Sequence, residues 1–226
     1  MTISISQSNY IPWKGYFDLI ARSDVFVVYD DVQYTKNDWR NRNTIKTSTG
    51  TEWLTIPVRQ SSLGQTVCET RVASMIWKKK HPKTLQANYA GAKSFHSVKE
   101  QVFSWYDIES DLLSEINLHF IKNICTYLGI NTTLVDSRTL DLQGDRNERL
   151  VDACQKLGAD TYLSGPSAQA YLDTDLFRQS DISVEWMDYA GYPPYEQRYP
   201  PFVHNVSVID LIFAEGKNAS NFLGHR

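Results

Sequence analysis

The sequence predicts an α/β fold: a mostly parallel, Rossmann-like sheet with flanking helices and a helical insertion. Three observations predict it. An apolar segment at 24–29 follows a short strand at 3–6, and Gly15 opens a helix between them. From Asn131 onward, apolar segments alternate with helical ones, and strand–helix alternation means parallel pairing with helices on the sheet faces. Between these halves, 99–128 repeats with helical rather than strand periodicity.

Taken in order, residues 3–6 form the first strand and run into the polar, aromatic loop QSNYIPWK. Phe17, Leu19 and Ile20 give the next helix one buried stripe. Residues 24–29 are the second strand. Residues 43–46 and 53–58 read as two strands joined by a turn at Thr49-Gly50. Residues 60–74 carry little signal. Pro82 suits the first turn of a helix continuing through 84–90. Residues 99–128 read as one long or broken helix, since Leu113, Ile116, Phe120, Ile124 and Leu128 recur at spacings of three and four, and Gly129 caps it. Strands at 132–136, 160–163 and 182–187 then alternate with helices at 146–157 and 166–179, and a last helix covers 208–215.

A chain of 226 residues suits one domain with a mainly helical insertion at about 80–128. A formal charge of −3 gives no global field to recruit nucleic acid or acidic membrane. The three cysteines are an odd number, widely spaced and without metal-ligand spacing, so buried thiols in a reducing, cytoplasmic compartment are expected. The start MTISISQSNY has neither a basic nor an apolar leader region, and no apolar run approaches membrane-spanning length, so no membrane insertion is expected.

In an open parallel sheet, ligands collect outside the carboxyl ends of the strands. Four groups of residues fall there: Gln7, Asn9, Tyr10 and Pro12; Asp30, Asp31, Gln33 and Tyr34; Ser164, Gly165, Pro166 and Ser167; and Asp188, Tyr189 and the aromatic loop to Tyr199. Ser164–Ser167 leads into a helix and suits either a phosphate or a simple cap. Asp30 and Asp31 are neighbours whose side chains leave an extended chain in opposite directions. One is expected to face the site, the other to cap or to pair with Arg40 or Arg42. A magnesium ion would need ligands from elsewhere. His81, in the run KKKHPK, is the best placed histidine for proton transfer, against the alternative of a solvated basic turn. His96, His119, His204 and His225 show no partner spacing. The stretch YAGYPPYEQRYPPF holds four prolines and is either a packed loop or a lid whose rings stack on a sugar or base. No dinucleotide fingerprint, P-loop, nucleophile elbow or zinc spacing occurs.

Several blocks together resemble the WbqC-like protein family: QSNYIPWKGYFDLIARSDVFVVYDDVQYTKNDWRNRNTIK, EWLTIPV, HPKTLQANY, LGADTYLSGPSAQAYLD and YPPYEQRYPPFVHNVSVIDLIF. The resemblance covers nearly the whole chain, most weakly at 59–76 and 93–111. It implies work on a nucleotide-linked, modified sugar in O-antigen (lipopolysaccharide) or other surface-polysaccharide biosynthesis. The first block also resembles the nucleotide-binding half of HUP-type Rossmann proteins, but Lys14-Gly15-Tyr16 stands where their His-x-Gly-His would be. That departure argues against adenylyl transfer.

The resulting expectation is transfer of an acyl or aminoacyl group to the amine of a nucleotide-linked amino sugar. His81 would be general base, Asp30 or Asp31 would orient the amine, and Tyr34 or a backbone N–H would stabilise the oxyanion. Substrate would be held by Gln7, Asn9, Tyr10, Pro12, Gly15, Tyr16, Gln33, Lys36, Asn41 and Arg42 near the first two strands. Lys83, Ser164, Gly165, Ser167, Tyr189, Tyr195 and Gln197 would complete the set. The donor is unidentified; a tRNA carrying an aminoacyl group would use the basic residues 78–83. No metal is expected. The alternatives are an ATP-dependent ligase or nucleotidyltransferase, and a nucleotide-sugar-binding protein without chemistry.

Overall fold

A computed structural model describes residues 1–224, so His225 lies outside the described residues. The chain opens with β1 (Thr2–Ser6), α1 (Lys14–Ala21) and β2 (Val25–Val28). It then leaves the sheet for a hairpin, β3 (Arg42–Thr47) and β4 (Gly50–Thr55), and a small antiparallel pair, β5 (Val58–Arg59) and β6 (Arg71–Val72). Helices α2 (Trp77–Tyr89), α3 (Phe95–Ser104) and α4 (Leu113–Leu128) follow. The chain returns as β7 (Thr133–Asp136), α5 (Arg146–Leu157), β8 (Thr161–Ser164), α6 (Thr174–Gln179), β9 (Ser183–Trp186) and α7 (Val208–Glu215).

The five-stranded sheet runs β7-β2-β1-β8-β9, and every adjacent pair is parallel. Successive strands build outward from β1 to β7, then the chain jumps back to place β8 on the other side of β1. The loops leaving β1 and β8 therefore diverge and open a crevice at the carboxyl edge, where open α/β sheets bind ligands.

The two sheet faces carry different loads. On one face Ile3 and Tyr162 meet Leu150, Val151 and Cys154 of α5 and Phe177 of α6. On the other, Phe26, Val28 and Leu163 join a larger core with Phe17 and Ile20 of α1, Phe120 and Ile124 of α4 and Ile212 of α7. Leu85 and Phe95, from α2 and α3, belong to that same core, so the helical stretch is packed on the sheet layer.

Helix ends follow local chemistry. Gly129 and Gly158 take left-handed φ values of 70° and 69°, which only glycine adopts freely, and they close α4 and α5. Asp145 and Glu148 form a capping box at the start of α5.

Two expectations are corrected. Pro82 lies inside α2 rather than in its first turn, because Trp77 is buried and draws the helix start back five residues. The expected helix at 166–179 is a five-residue 3-10 turn, Pro166–Ala170, then α6, whose own N-cap is Asp173. The Asp173 side chain accepts the N–H groups of Asp175 and Leu176, so a fresh cap competes with helix continuation.

Asp210 of α7 is 2% exposed. It accepts from Tyr89 Oη (2.8 Å), Tyr195 Oη (2.6 Å) and Gln197 Nε2 (2.7 Å), and burial raises its carboxyl above the usual range. Lys46 N in turn donates to Tyr89 Oη at 2.8 Å. This network joins α7, α2, β3 and the proline-rich stretch. Truncating Asp210 to alanine strands buried donors, and is expected to lower the unfolding free energy by about 3 kcal/mol or more. Urea denaturation measures it; a loss below about 1 kcal/mol would contradict the network's role.

Candidate functional site at the carboxyl edge of the sheet

The loop after β1 is fixed from every side. Ser8 N donates to Asp30 Oδ1 at 2.8 Å, and Asn117 Nδ2 of α4 donates to Ser8 Oγ at 3.0 Å. Tyr10 N donates to the Trp39 carbonyl at 3.1 Å, and Asn43 Nδ2 to the Tyr10 carbonyl at 3.1 Å. Val208 N donates to the Pro12 carbonyl at 2.9 Å. Held this way, Ile11 takes φ = 37°, a left-handed conformation unusual for a β-branched residue. Such strain costs on the order of 1–3 kcal/mol and persists only where its surroundings over-determine it.

Two clefts flank this loop. The first, about 480 Å³, is lined by Trp13, Trp39 and Tyr189, by the carboxamides of Asn9, Asn43 and Asn205, and by Pro12, Gly165, Pro166 and Ser167. Trp13 and Tyr189 meet edge to face with centroids 5.0 Å apart. A β-carbon on Gly165 would lie 3.7 Å from Tyr189 Oη, so the loops after β8 and β9 converge here. Burial pushes the Tyr189 phenol up to about 12. The second cleft, about 680 Å³, lies against Gln7, Tyr29, Gln33, Arg40, Arg146, Arg149, Tyr162 and Tyr171. Arg40 donates to Asn9 Oδ1, so these two residues form a wall common to both clefts.

The model of the WbqC-like protein family matches residues 7–222, which include every loop of this edge. The chain belongs to the WbqC-like protein family. A Mycobacterium tuberculosis protein named "Uncharacterized protein Rv1507c" is 44% identical over 223 residues, covering 98% of this chain and 96% of that one. No solved structure matches the chain significantly.

In this WbqC-like chain, the crevice gathers some of the sequence-predicted residues. Asn9, Pro12, Gly165, Ser167 and Tyr189 line the aromatic cleft, and Gln7 and Gln33 line the arginine cleft. Gly15 packs against the Trp13 ring, where a β-carbon would come within 2.3 Å. Tyr16 is buried and donates to the Gln7 carbonyl at 3.0 Å, supporting the loop from behind. Ser164 is buried and bonds to Tyr162.

The other named residues stand elsewhere. Asp30 is 1% exposed and faces inward, accepting from Ser8 and from Ser114 of α4. Asp31 pairs with Arg149 and Ser137 rather than with Arg40 or Arg42, because α5 brings its first turn to the same edge. Tyr34 donates to Asn41 Oδ1 at 2.9 Å, and Asn41 donates to the Ile56 carbonyl, so both brace the hairpin. Arg42 stacks on Trp53 at 4.2 Å, while Lys36 and Lys83 are solvent-exposed. Tyr195 and Gln197 are committed to Asp210. The proline-rich stretch is fastened down by Lys14, whose Nζ donates to the Pro193 carbonyl at 3.3 Å and sits 4.8 Å from the Tyr192 ring centroid. Only its first residue, Tyr189, reaches the cleft.

His81 opens on a third cleft, between β4 and α2, lined by Trp53, Thr55, Trp77 and Lys80. Its Nδ1 lies 2.8 Å from Tyr10 Oη, which also contacts Tyr106 Oη at 3.2 Å, and its ring bonds to the Thr55 backbone. The ring is thus engaged by Tyr10 and by the Thr55 backbone, and the residue is 3% exposed. It supports Tyr10, and through it the loop, instead of reaching either switch-point cleft.

Sequence reasoning missed Trp39, Asn43, Asn205, Arg146 and Arg149 as lining residues. A signal existed for the arginines. A helix that follows a parallel strand begins at the carboxyl edge, so the first turn after β7 had to arrive there. Asn43 and Asn205 carried none, since only tertiary packing brings the hairpin and the α7 approach to the crevice.

Burial lowers the His81 pKa from 6.5 to about 4. The folded state then binds fewer protons than the unfolded chain between those values, so stability falls as pH drops through 6.5 toward 4. The loss at full protonation is on the order of 3 kcal/mol. Thermal unfolding of His81→Gln against wild type across pH 4–7 is expected to show a shallower acid slope for the variant. Parallel slopes would contradict the locked neutral imidazole.

Proposed function

We propose that this WbqC-like protein binds a nucleotide-linked amino sugar at the sheet's order reversal and transfers an acyl or aminoacyl group to its amine, in surface-polysaccharide biosynthesis of the O-antigen kind. The observation that carries this reading is the composition of the aromatic cleft: three aromatic rings and the carboxamide residues Asn9 and Asn205, beside an Asn43 committed to the backbone, with no formally charged side chain. Flat rings suit the C–H faces of a sugar, and carboxamides both donate to and accept from its hydroxyls. A neutral ring is therefore the complementary ligand.

The same lining defines what the side chains do in the transfer. Tyr189 stays protonated, so its hydroxyl donates a hydrogen bond. Aimed at the acyl carbonyl, it would stabilise the oxyanion that forms when the amine attacks, the role first given to Tyr34. No lining side chain is a ready base at neutral pH. The amine attacks as the free base, the nitrogen–carbon bond forms, the donor's leaving group departs, and the nitrogen's proton passes to that group or to water. The protein's contribution is chiefly proximity and orientation. On this reading the activity is cytoplasmic, a compartment compatible with the three free cysteines.

The absence of a base from the lining also favours a second reading, in which the cleft binds a nucleotide sugar without chemistry. One experiment separates them. UDP-, dTDP- and GDP-linked sugars are screened by thermal shift, and any that raises the melting temperature is incubated with acyl-CoA or aminoacyl donors and analysed by mass spectrometry. The transfer reading expects a sugar product heavier by the acyl group. A thermal shift without product leaves only binding, and no shift with any nucleotide sugar contradicts both. Trp39→Ala, which removes one ring face, is expected to weaken binding about tenfold.

A further inference from the structure

The arginine cleft beyond the Asn9–Arg40 wall is not used by the reading above. Its lining holds three arginines and no carboxylate, in a chain whose 26 acidic residues outnumber its 23 basic ones. Asp31 and Asp38, outside the lining, pair with Arg149 and Arg40, so Arg146 is the charge there that calls for an anion.

The three guanidinium groups differ in how far they are already satisfied. Arg149 is fixed by Asp31 and by Tyr29 Oη, to which its Nε donates at 2.8 Å. Arg40 donates to Asn9 and stands 3.6 Å from Asp38, while its Nε is buried without a hydrogen-bond partner. Arg146 makes no ion pair among the described residues and stands over the Tyr171 ring, with 3.8 Å from its guanidinium carbon to the ring centroid. The acids next to it in sequence, Asp145 and Glu148, are engaged by backbone N–H groups in the capping box. One arginine is anchored, one has an idle buried donor, and one has no ion pair and is held over an aromatic ring.

Guanidinium forks match phosphate oxygens in pairs. Arg146 brings one uncommitted fork, Arg40 and Arg149 add positive charge from two distant chain segments, and about 680 Å³ leaves room for more than one phosphoryl group. The 3-10 turn at Pro166–Ala170 offers only five residues and no cation among them. We infer that the arginine cleft holds a diphosphate ester, the anionic part of the ligand whose sugar occupies the aromatic cleft. This rests on the nucleotide-sugar reading for the ligand's identity, but not for the site itself.

Isothermal titration of the full chain at low salt with pyrophosphate, UDP and inorganic phosphate tests it. Pyrophosphate and UDP are expected to saturate one site and to bind at least about tenfold more tightly than inorganic phosphate. Arg146→Ala is expected to weaken both by about tenfold or more with no change in melting temperature, since Arg146 is exposed and unpaired. Arg146→Lys is expected to fall between the two, keeping the charge but not the fork. Pyrophosphate binding no tighter than phosphate, or unchanged in Arg146→Ala, overturns the inference. If nucleotide sugars still bind undiminished to Arg146→Ala, this inference fails while the sugar reading stands. Pyrophosphate binding that depends on Arg146, with no effect of any nucleotide sugar, upholds the diphosphate site and removes the sugar reading.

Discussion

The buried carboxylate of Asp30 is the constraint on which the carboxyl edge depends. It leaves the end of β2 and accepts from Ser8 in the loop after β1 and from Ser114 in α4, while its own carbonyl accepts the Cys68 N–H at 2.9 Å. Burial alone would drive this carboxyl toward its neutral form, and burial does raise its pKa. The hydrogen bonds from Ser8 and Ser114 oppose that shift. A buried acid is costly unless its acceptors are filled, so the arrangement holds only while β2, the β1 loop and α4 keep their relative places. The Asp30 carboxyl acts as a rivet at the point where the strand order reverses.

From that rivet the geometry of both clefts follows. With Ser8 fixed, Tyr10 is held between the Trp39 carbonyl and His81, and Ile11 is forced to positive φ. Asn9, the residue between, is then presented toward the aromatic cleft and toward Arg40 at once. The His81–Tyr10–Tyr106 cluster lies behind the loop, as do Tyr16 and Asn117. These buried polar groups position the loop and leave the lining groups at the clefts. A rigid support beneath a strained loop is what preorganised binding requires.

The parallel sheet and its helices were legible because their signals are local: apolar runs for β2 and β7, a three-and-four rhythm for α4, and glycine stops at 129 and 158. The meeting of the loops was legible too, since residues just past β1, β8 and β9 line one cleft. Roles were harder to read. His81, Tyr34, Tyr195 and Gln197 have the right chemistry for a site, yet each is consumed by a partner distant in sequence or in the next element. Arg146 and Arg149 could be read only from their place in the first turn of the helix after β7. What moves a polar residue from support to lining is tertiary burial, which no spacing encodes.

The central claim is that one ligand lies across the Asn9–Arg40 wall. Amide hydrogen exchange with and without a bound UDP-, dTDP- or GDP-linked sugar tests it most directly. The account predicts protection gathered in residues 7–13, 38–43 and 165–168 and in the first turn of α5, with little change around residues 52–57 and 76–84. Protection confined to those last two segments, beside His81, would place the ligand in the other cleft and contradict it.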